Sequence, residues 1–334
     1  MHRVSSPGAT VQSGQSLSSK PFVWPGASDP PAAAKKLDAK EDLKQLSDQL
    51  REMKEDAFSN TMLFTIQNAL MGKIEVEVYC DEWPQFKAVA ARITSPTVAD
   101  VVLYTKSEES ALGLLYDERI LRRLKSQISR GVIFAEMKDS LAQYLTDKMK
   151  CGGISLLRFD VKTQSTMMQY QRGMQDQQKP PNDLHESSPP CPPGYVLGSL
   201  SSEHAQYISG LWRFKDDTND ISQTFESIIK DFPSSAVFEE SKGEMPVGWI
   251  LSFPHGYIGH AMILEDHRNK HLFKPLAWNL CTKLLKEFEG CKPEFASDNT
   301  IVINNAKENG FVEISKGHRV IYNPPNGESD TKKV

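Results

Sequence analysis

Apolar residues recur along this chain in two rhythms. Leu43, Leu46, Leu50 and Met53 return every three to four residues, which predicts a helix over about 38–54 with one buried face. Two heptads are too few for a coiled coil, so the stripe is expected to pack on its own domain. A strand rhythm follows. IEVEVYC (74–80) and FKAVAARI (86–93) read as paired strands around a loop holding Asp81 and Trp83, and DVVLYTK (100–106) as a third strand. Helical patterns are expected over 109–126 and 134–149, then a strand at ISLLRF (153–158).

The second half repeats the theme in another order. YVLGSL (195–200) reads as a strand, and Ser201 or Ser202 can cap the short helix after it. Ile221, Phe225, Ile228 and Ile229 share one face of a helix over about 219–231. AVFEE (236–240), VGWILSF (247–253) and HGYIGHAMIL (255–264) read as strands, KPEFASD (292–298) as another, NTIVINNAKENG as mostly helix, and FVEISKGHRVIYN as a closing strand pair. The resulting order, β, α, α, β, β, β, α, β, α, β, describes an α/β (α+β) domain with an antiparallel start and at least one crossover.

Between the halves, 176–194 holds six prolines in nineteen residues, too few amides for helix or sheet, and reads as a linker. Residues 1–36 are rich in Ser, Pro, Ala and Gly, with Asp29 as the one acid, and read as a disordered tail. Before Lys35 only Arg3 and Lys20 are basic, short of the several arginines of an amphipathic transit peptide. The boundaries expected are a tail at 1–36, a domain at 37–175, the linker at 176–194, a domain at 195–325 and a polar tail at 326–334.

Composition narrows the function classes. Net charge is −4, which argues against a nucleic-acid partner met through a broad basic face. No stretch approaches the roughly 18 consecutive apolar residues of a membrane span. The five cysteines are odd in number and far apart, which suits reduced thiols rather than a disulfide framework. His255, His260, His267 and His271 lack a cysteine or acidic partner that would complete a metal set, so no metal site is expected.

The richest segment is EDHRNKHLFKPLAWNL (265–280). Leu272, Leu276, Leu280, Leu284 and Phe288 fall four apart, with Phe273, Ala277, Cys281 and Leu285 beside them, so the helix is core packing. Pro275 is tolerated only in a first turn, which puts the N-cap near Leu272 or Phe273. Amides from Arg268 to His271 then lie outside the helix, at a terminus whose dipole favours anions. The residues alone leave two readings open. One is a solvated basic loop, favoured for so short a run; the other is a pyrophosphate cradle.

Context bears on that choice. FPSSAVFEESKGEMPVGWILSFPHGYIGHAMILEDHR, the leucine-rich helix and NTIVINNAKENGFVE together resemble the glycine N-acyltransferase family of the GNAT acyltransferase superfamily. LGSLSSEHAQYISGLW resembles the opening of that family's C-terminal domain, and IEVEVYCDEWPQFKAVAARI its N-terminal domain. The resemblance covers about 40–325 apart from the linker. It implies two GNAT-like domains, with mixed central sheets flanked by helices and the working site in the second. It also implies acyl-CoA as cosubstrate with no permanently bound cofactor, a small amine, often an amino acid, as acceptor, and mitochondrial residence, with the cytoplasm as the alternative.

By position in that family, Met262, Ile263 and Leu264 would border the pantetheine arm, and Arg268, Asn269, Lys270, His271, Leu272 and Phe273 would meet the pyrophosphate. Asn299 matches an asparagine that opens the next helix. The superfamily loop Arg-x-x-Gly-x-Gly/Ala is matched here only at Arg268, although Asn and His best tolerate the positive φ that glycine supplies. Where the mammalian glycine enzymes carry a glutamate base this chain has Tyr257. Tyrosine, with a pKa near 10, is a poor base at neutral pH, and His255 lies two residues away, on the same side of a regular strand. His255 and Tyr257 are therefore the expected proton acceptors. Ala306 stands where many relatives carry a tyrosine.

Overall fold

The computed structural model describes residues 34–53, 56–94, 100–116, 132–151, 158–171, 189–211 and 222–323. The first half runs β1 (Lys35–Leu37), α1 (Lys40–Glu52), α2 (Ala57–Leu70), β2 (Glu75–Cys80), β3 (Ala88–Thr94), β4 (Asp100–Thr105), α3 (Glu108–Tyr116), β5 (Val132–Lys138), α4 (Asp139–Cys151) and β6 (Arg158–Tyr170). The second runs β7 (Tyr195–Gly198), α5 (Ala205–Gly210), α6 (Ser222–Asp231), β8 (Ser234–Glu239), β9 (Pro246–Ser252), β10 (Ile258–Ile263), α7 (Phe273–Glu287), β11 (Glu294–Ser297), α8 (Thr300–Glu308) and β12 (Phe311–Asn323). This second order matches the one read from the sequence.

The described strands make two sheets. One has eight strands in the order β1-β2-β3-β4-β5-β12-β6-β11, the other four in the order β10-β9-β8-β7. The two halves therefore do not fold side by side. β12 of the second half lies between β5 and β6 of the first, and β6 lies between β12 and β11. Each half is completed by a strand of the other, so the shared sheet puts both in one compact unit.

Several elements differ from expectation for physical reasons. VIFAEMK is strand β5, not the start of a helix; pairing with β4 on one side and β12 on the other outweighs the helical pattern, which begins at Asp139. The expected closing pair is a single 13-residue strand, β12, with bulges between Glu313 and Ser315 and between His318 and Val320. Lys35 and Lys36, read as the end of the tail, form edge strand β1 together with Leu37, with Lys35 opposite Cys80 and Leu37 buried. Residues 117–131, 152–157, 172–188 and 324–334 lie outside the described residues, and with them parts of an expected helix, strand, linker and tail.

Helix α2 went unread because polar residues interrupt its apolar ones and leave no clean stripe, although residues 58–68 are all buried. Its position explains that composition. Asn60 Nδ2 donates to the Lys292 carbonyl at 2.8 Å, and Asn60 Oδ1 accepts from the Lys292 amide at 2.9 Å. Gln67 donates to the Glu289 carbonyl and Asn68 to that of Pro254. Phe64 packs on Phe288 at 4.9 Å between ring centroids, both rings almost wholly buried. Burial of each such ring contributes roughly 1.5–3 kcal/mol. Thus α2 belongs to the first half by sequence and to the second half's site by contact.

Candidate functional site

β10 and β11 run parallel but touch at one point, a bridge between Tyr257 and Glu294. Beyond it β10 stays with β9 in one sheet while β11 pairs with β6 in the other. A cleft opens between them with Tyr257 and Glu294 at its vertex. A bulge in β10 between Gly259 and Met262 helps turn that strand. His260 sits in the bulge at φ 48°, a backbone conformation that costs a non-glycine residue about 1 kcal/mol or more. Trp249 Nε1 donates to His260 Nδ1 at 2.9 Å and holds it there. Burial lowers the His260 pKa to about 4, so the ring is neutral at physiological pH and a weak base. Met262 and Ile263 pair with Trp249 and Gly248, and the Leu264 amide donates to Val247, so their bonds to β9 hold this edge of the cleft.

The loop after β10 answers the question left by its missing glycines. Asn269 has φ 59° and His271 φ 56°, so both hold the left-handed conformation. The amides of Asn269, Lys270, His271 and Leu272 donate to no backbone carbonyl of the described residues. Leu272 is the N-cap of α7, as Pro275 required, and no side chain caps that terminus. Left-handed residues followed by a helix start gather amides into a concave anion site. Arg268, Asn269, Lys270 and His271 are exposed, whereas the Leu272 side chain is core and leaves only its amide to a ligand. Arg268 Nε donates to the Ile263 carbonyl at 3.1 Å. Tyr195 OH meets His267 Nδ1 and accepts from Lys270 Nζ, each at 2.9 Å. Strand β7 thereby braces the loop.

His255 does not lie on a strand. Phe253–Tyr257 is a tight turn with Gly256 at φ 86°, and the Gly256 amide donates to Phe253. The turn still brings the His255 ring to 4.9 Å from that of Tyr257. Asn299 caps α8, its side chain accepting from the Ile301 amide at 3.0 Å. Ala306 is fully buried on α8, where a tyrosine ring would have no room without repacking.

Sequence reading missed Glu294. It has no exposed surface, its Oε1 accepts from Gln169 Nε2 at 2.7 Å, and Oε2 has no hydrogen-bond partner among the described residues. Burial raises its pKa to about 7, against the smaller lowering effects of Gln169, Asn60 and Lys292. Asn60, whose Nδ2 also donates to the Lys292 carbonyl, lowers the pKa as a hydrogen-bonding neighbour of the carboxyl. The signal in sequence was a lone acid in a short apolar strand, which periodicity alone does not mark as buried.

The first half has a similar cleft between β4 and β5, which pair only at Asp100–Ile133 and Val101–Phe134. Its own side chains occupy it. Lys138 Nζ meets Asp56 Oδ2 at 2.8 Å, and Tyr104 OH meets the same oxygen at 3.4 Å. The helix after β4 opens with Glu108 and Glu109, which repel an anion at its N-terminus. Asp81 and Trp83 serve structure there. Asp81 Oδ1 accepts from the amides of Lys87 and Ala88, and Trp83 Nε1 donates to Asp42. Cys281 is wholly buried and its thiol pKa is raised by that burial, as befits a core residue.

No family model matches the chain, and no curated protein matches it. Solved structures do. A Drosophila protein superposes with a TM-score of 0.62 at 13% identity, over 87% of this chain and 98% of that one. A tandem GNAT protein from the clavulanic acid biosynthesis pathway, solved without acetyl-CoA, superposes with a TM-score of 0.50 at 14% identity, over 87% of this chain and 97% of that one. Identities this low speak for the fold alone. The fold is thus like that of the tandem GNAT protein, here with two halves joined through one sheet.

Proposed function

We propose that this protein is an acyl-CoA-dependent N-acyltransferase working in its second half, with a small amine, an amino acid on the sequence resemblance, as acceptor. The observation that carries the reading is the left-handed backbone at Asn269 and His271. It presents four unengaged amides beside Arg268 and Lys270 at the α7 terminus, a site suited to a pyrophosphate. The pantetheine arm lies in the cleft against the backbone of Met262, Ile263 and Leu264. The amine attacks the thioester directly. His255 and Tyr257 line the vertex where the amine's proton leaves. The plugged first half holds the shared sheet and supplies α2. Mitochondrial residence rests on the same resemblance and is open to cell fractionation.

Purified protein is incubated with acetyl-, benzoyl- and phenylacetyl-CoA against an amino acid panel, and thiol release is followed. Turnover with at least one pair is expected; none with any pair removes the enzyme. Tyr257 in place of a glutamate and Ala306 in place of a tyrosine favour a second reading, a catalytically lapsed GNAT-fold binding or scaffold protein. CoA binding by calorimetry without turnover would select it.

A further inference from the structure

At the vertex of the β10–β11 cleft, Tyr257, the residue just before β10, is a poor base at neutral pH. Across the bridge from Tyr257, the first residue of β11 is a carboxyl group with no exposed surface. One of its oxygens is held by Gln169 of β6 and the other has no partner among the described residues. A buried carboxyl with a spare lone pair is costly to keep for structure alone, since an isosteric amide would avoid its charge. We propose that Glu294 takes the proton from the acceptor amine, a role that rests on the acyltransferase reading above.

The step balances as follows. The Glu294 carboxylate removes one proton from the ammonium group, giving a neutral amine and a carboxylic acid. The amine nitrogen forms a C–N bond to the thioester carbon, and the C–S bond breaks. The remaining surplus N–H proton goes to the departing thiolate, giving CoA thiol, and Glu294 returns its proton to solvent. The titratable groups about Glu294 are Lys292 and Cys291 before β11, and Tyr257 with His255 across the bridge. Helix α2 contributes Asn60 and no titratable side chain, β6 contributes Gln169, and α8 buries Ile303 and Ala306. A base held near neutrality by burial matches the task.

The test follows thiol release from pH 5.5 to 9 for the full chain, Glu294→Gln and Gln169→Met, with CoA affinity from calorimetry. Glu294→Gln is expected to lower kcat by roughly 10²–10⁴-fold, to remove the acidic limb of the profile, and to leave CoA affinity within about twofold. Gln169→Met removes a donor that favours the carboxylate, so its acidic limb moves to higher pH while the plateau rate is kept. Glu294→Gln turning over within about threefold of the parent with its limb intact overturns the assignment, as does an unmoved limb in Gln169→Met. If Glu294→Gln does not fold, the Gln169→Met limb decides alone. Absence of turnover in the unmodified chain removes the acyltransferase reading and this one with it. Turnover with unmoved limbs removes only Glu294.

Discussion

Glu294 also makes a prediction that needs no substrate. Its folded pKa is raised from 4.5 to about 7, chiefly by burial. A group whose folded pKa lies above its unfolded value stabilises the fold below the unfolded value. That contribution is lost as pH rises through the folded one, here between 4.5 and about 7. A shift of this size corresponds to about 3 kcal/mol, most of it falling between pH 5 and pH 8. The carboxyl is wholly buried, so solvent screening takes little from that figure. Glu294→Gln keeps the shape and cannot ionise. Any constant cost of the amide cancels when the two pH values are compared. Urea unfolding of both proteins is followed by tryptophan fluorescence at pH 5 and pH 8. The variant is expected to gain roughly 2–3 kcal/mol on the parent between the two, seen in the midpoint at constant slope. A gain below about 1 kcal/mol would show that Glu294 ionises normally, and the account of a buried, half-satisfied carboxyl would fall.

Arg268→Ala is expected to weaken CoA binding by on the order of 1.5–3 kcal/mol through loss of a charge-assisted phosphate contact, and unchanged affinity in calorimetry would put the phosphates elsewhere. His271→Val replaces a residue at φ 56° with a β-branched one that resists that conformation, so CoA affinity should fall about tenfold or more while the circular dichroism spectrum is kept. Gly256→Ala would place a Cβ 2.2 Å from the Phe64 ring at φ 86°, so a loss of about 3 kcal/mol or more is expected in thermal melts. A melting temperature within a degree or two of the parent would mean α2 does not press on that turn.

Much of the second half was legible locally. The four-residue stripe from Leu272 to Phe288 required α7, and Pro275 put its N-cap near Leu272 or Phe273, because a proline interior to the helix would lose a hydrogen bond and clash; the N-cap is Leu272. The loop's capacity was legible too, since Asn and His are the side chains that tolerate what glycine does, though the sequence could not say that they adopt it. β5 was misread because its apolar residues fit either period, and only its neighbours on both edges decide for a strand. His255 and Tyr257 are together for a reason other than the one inferred, a turn at Gly256 and not a strand's alternation.

By itself, then, the sequence determined what depends on neighbours within a few turns: the helix stripes, the order of elements along the second half, the start of α7 and the chemistry of its loop. The tertiary structure decided what depends on distant strands. β6 and β12 enter each other's halves because open edges of one sheet can be satisfied by any strand of the right length, wherever it lies in the chain. That exchange places Gln169, some 125 residues away in sequence, against Glu294. It also lays α2 over the vertex of a site that belongs to the other half. A carboxyl's burial is set by such contacts, so no local pattern could mark Glu294 as the unusual acid of this chain.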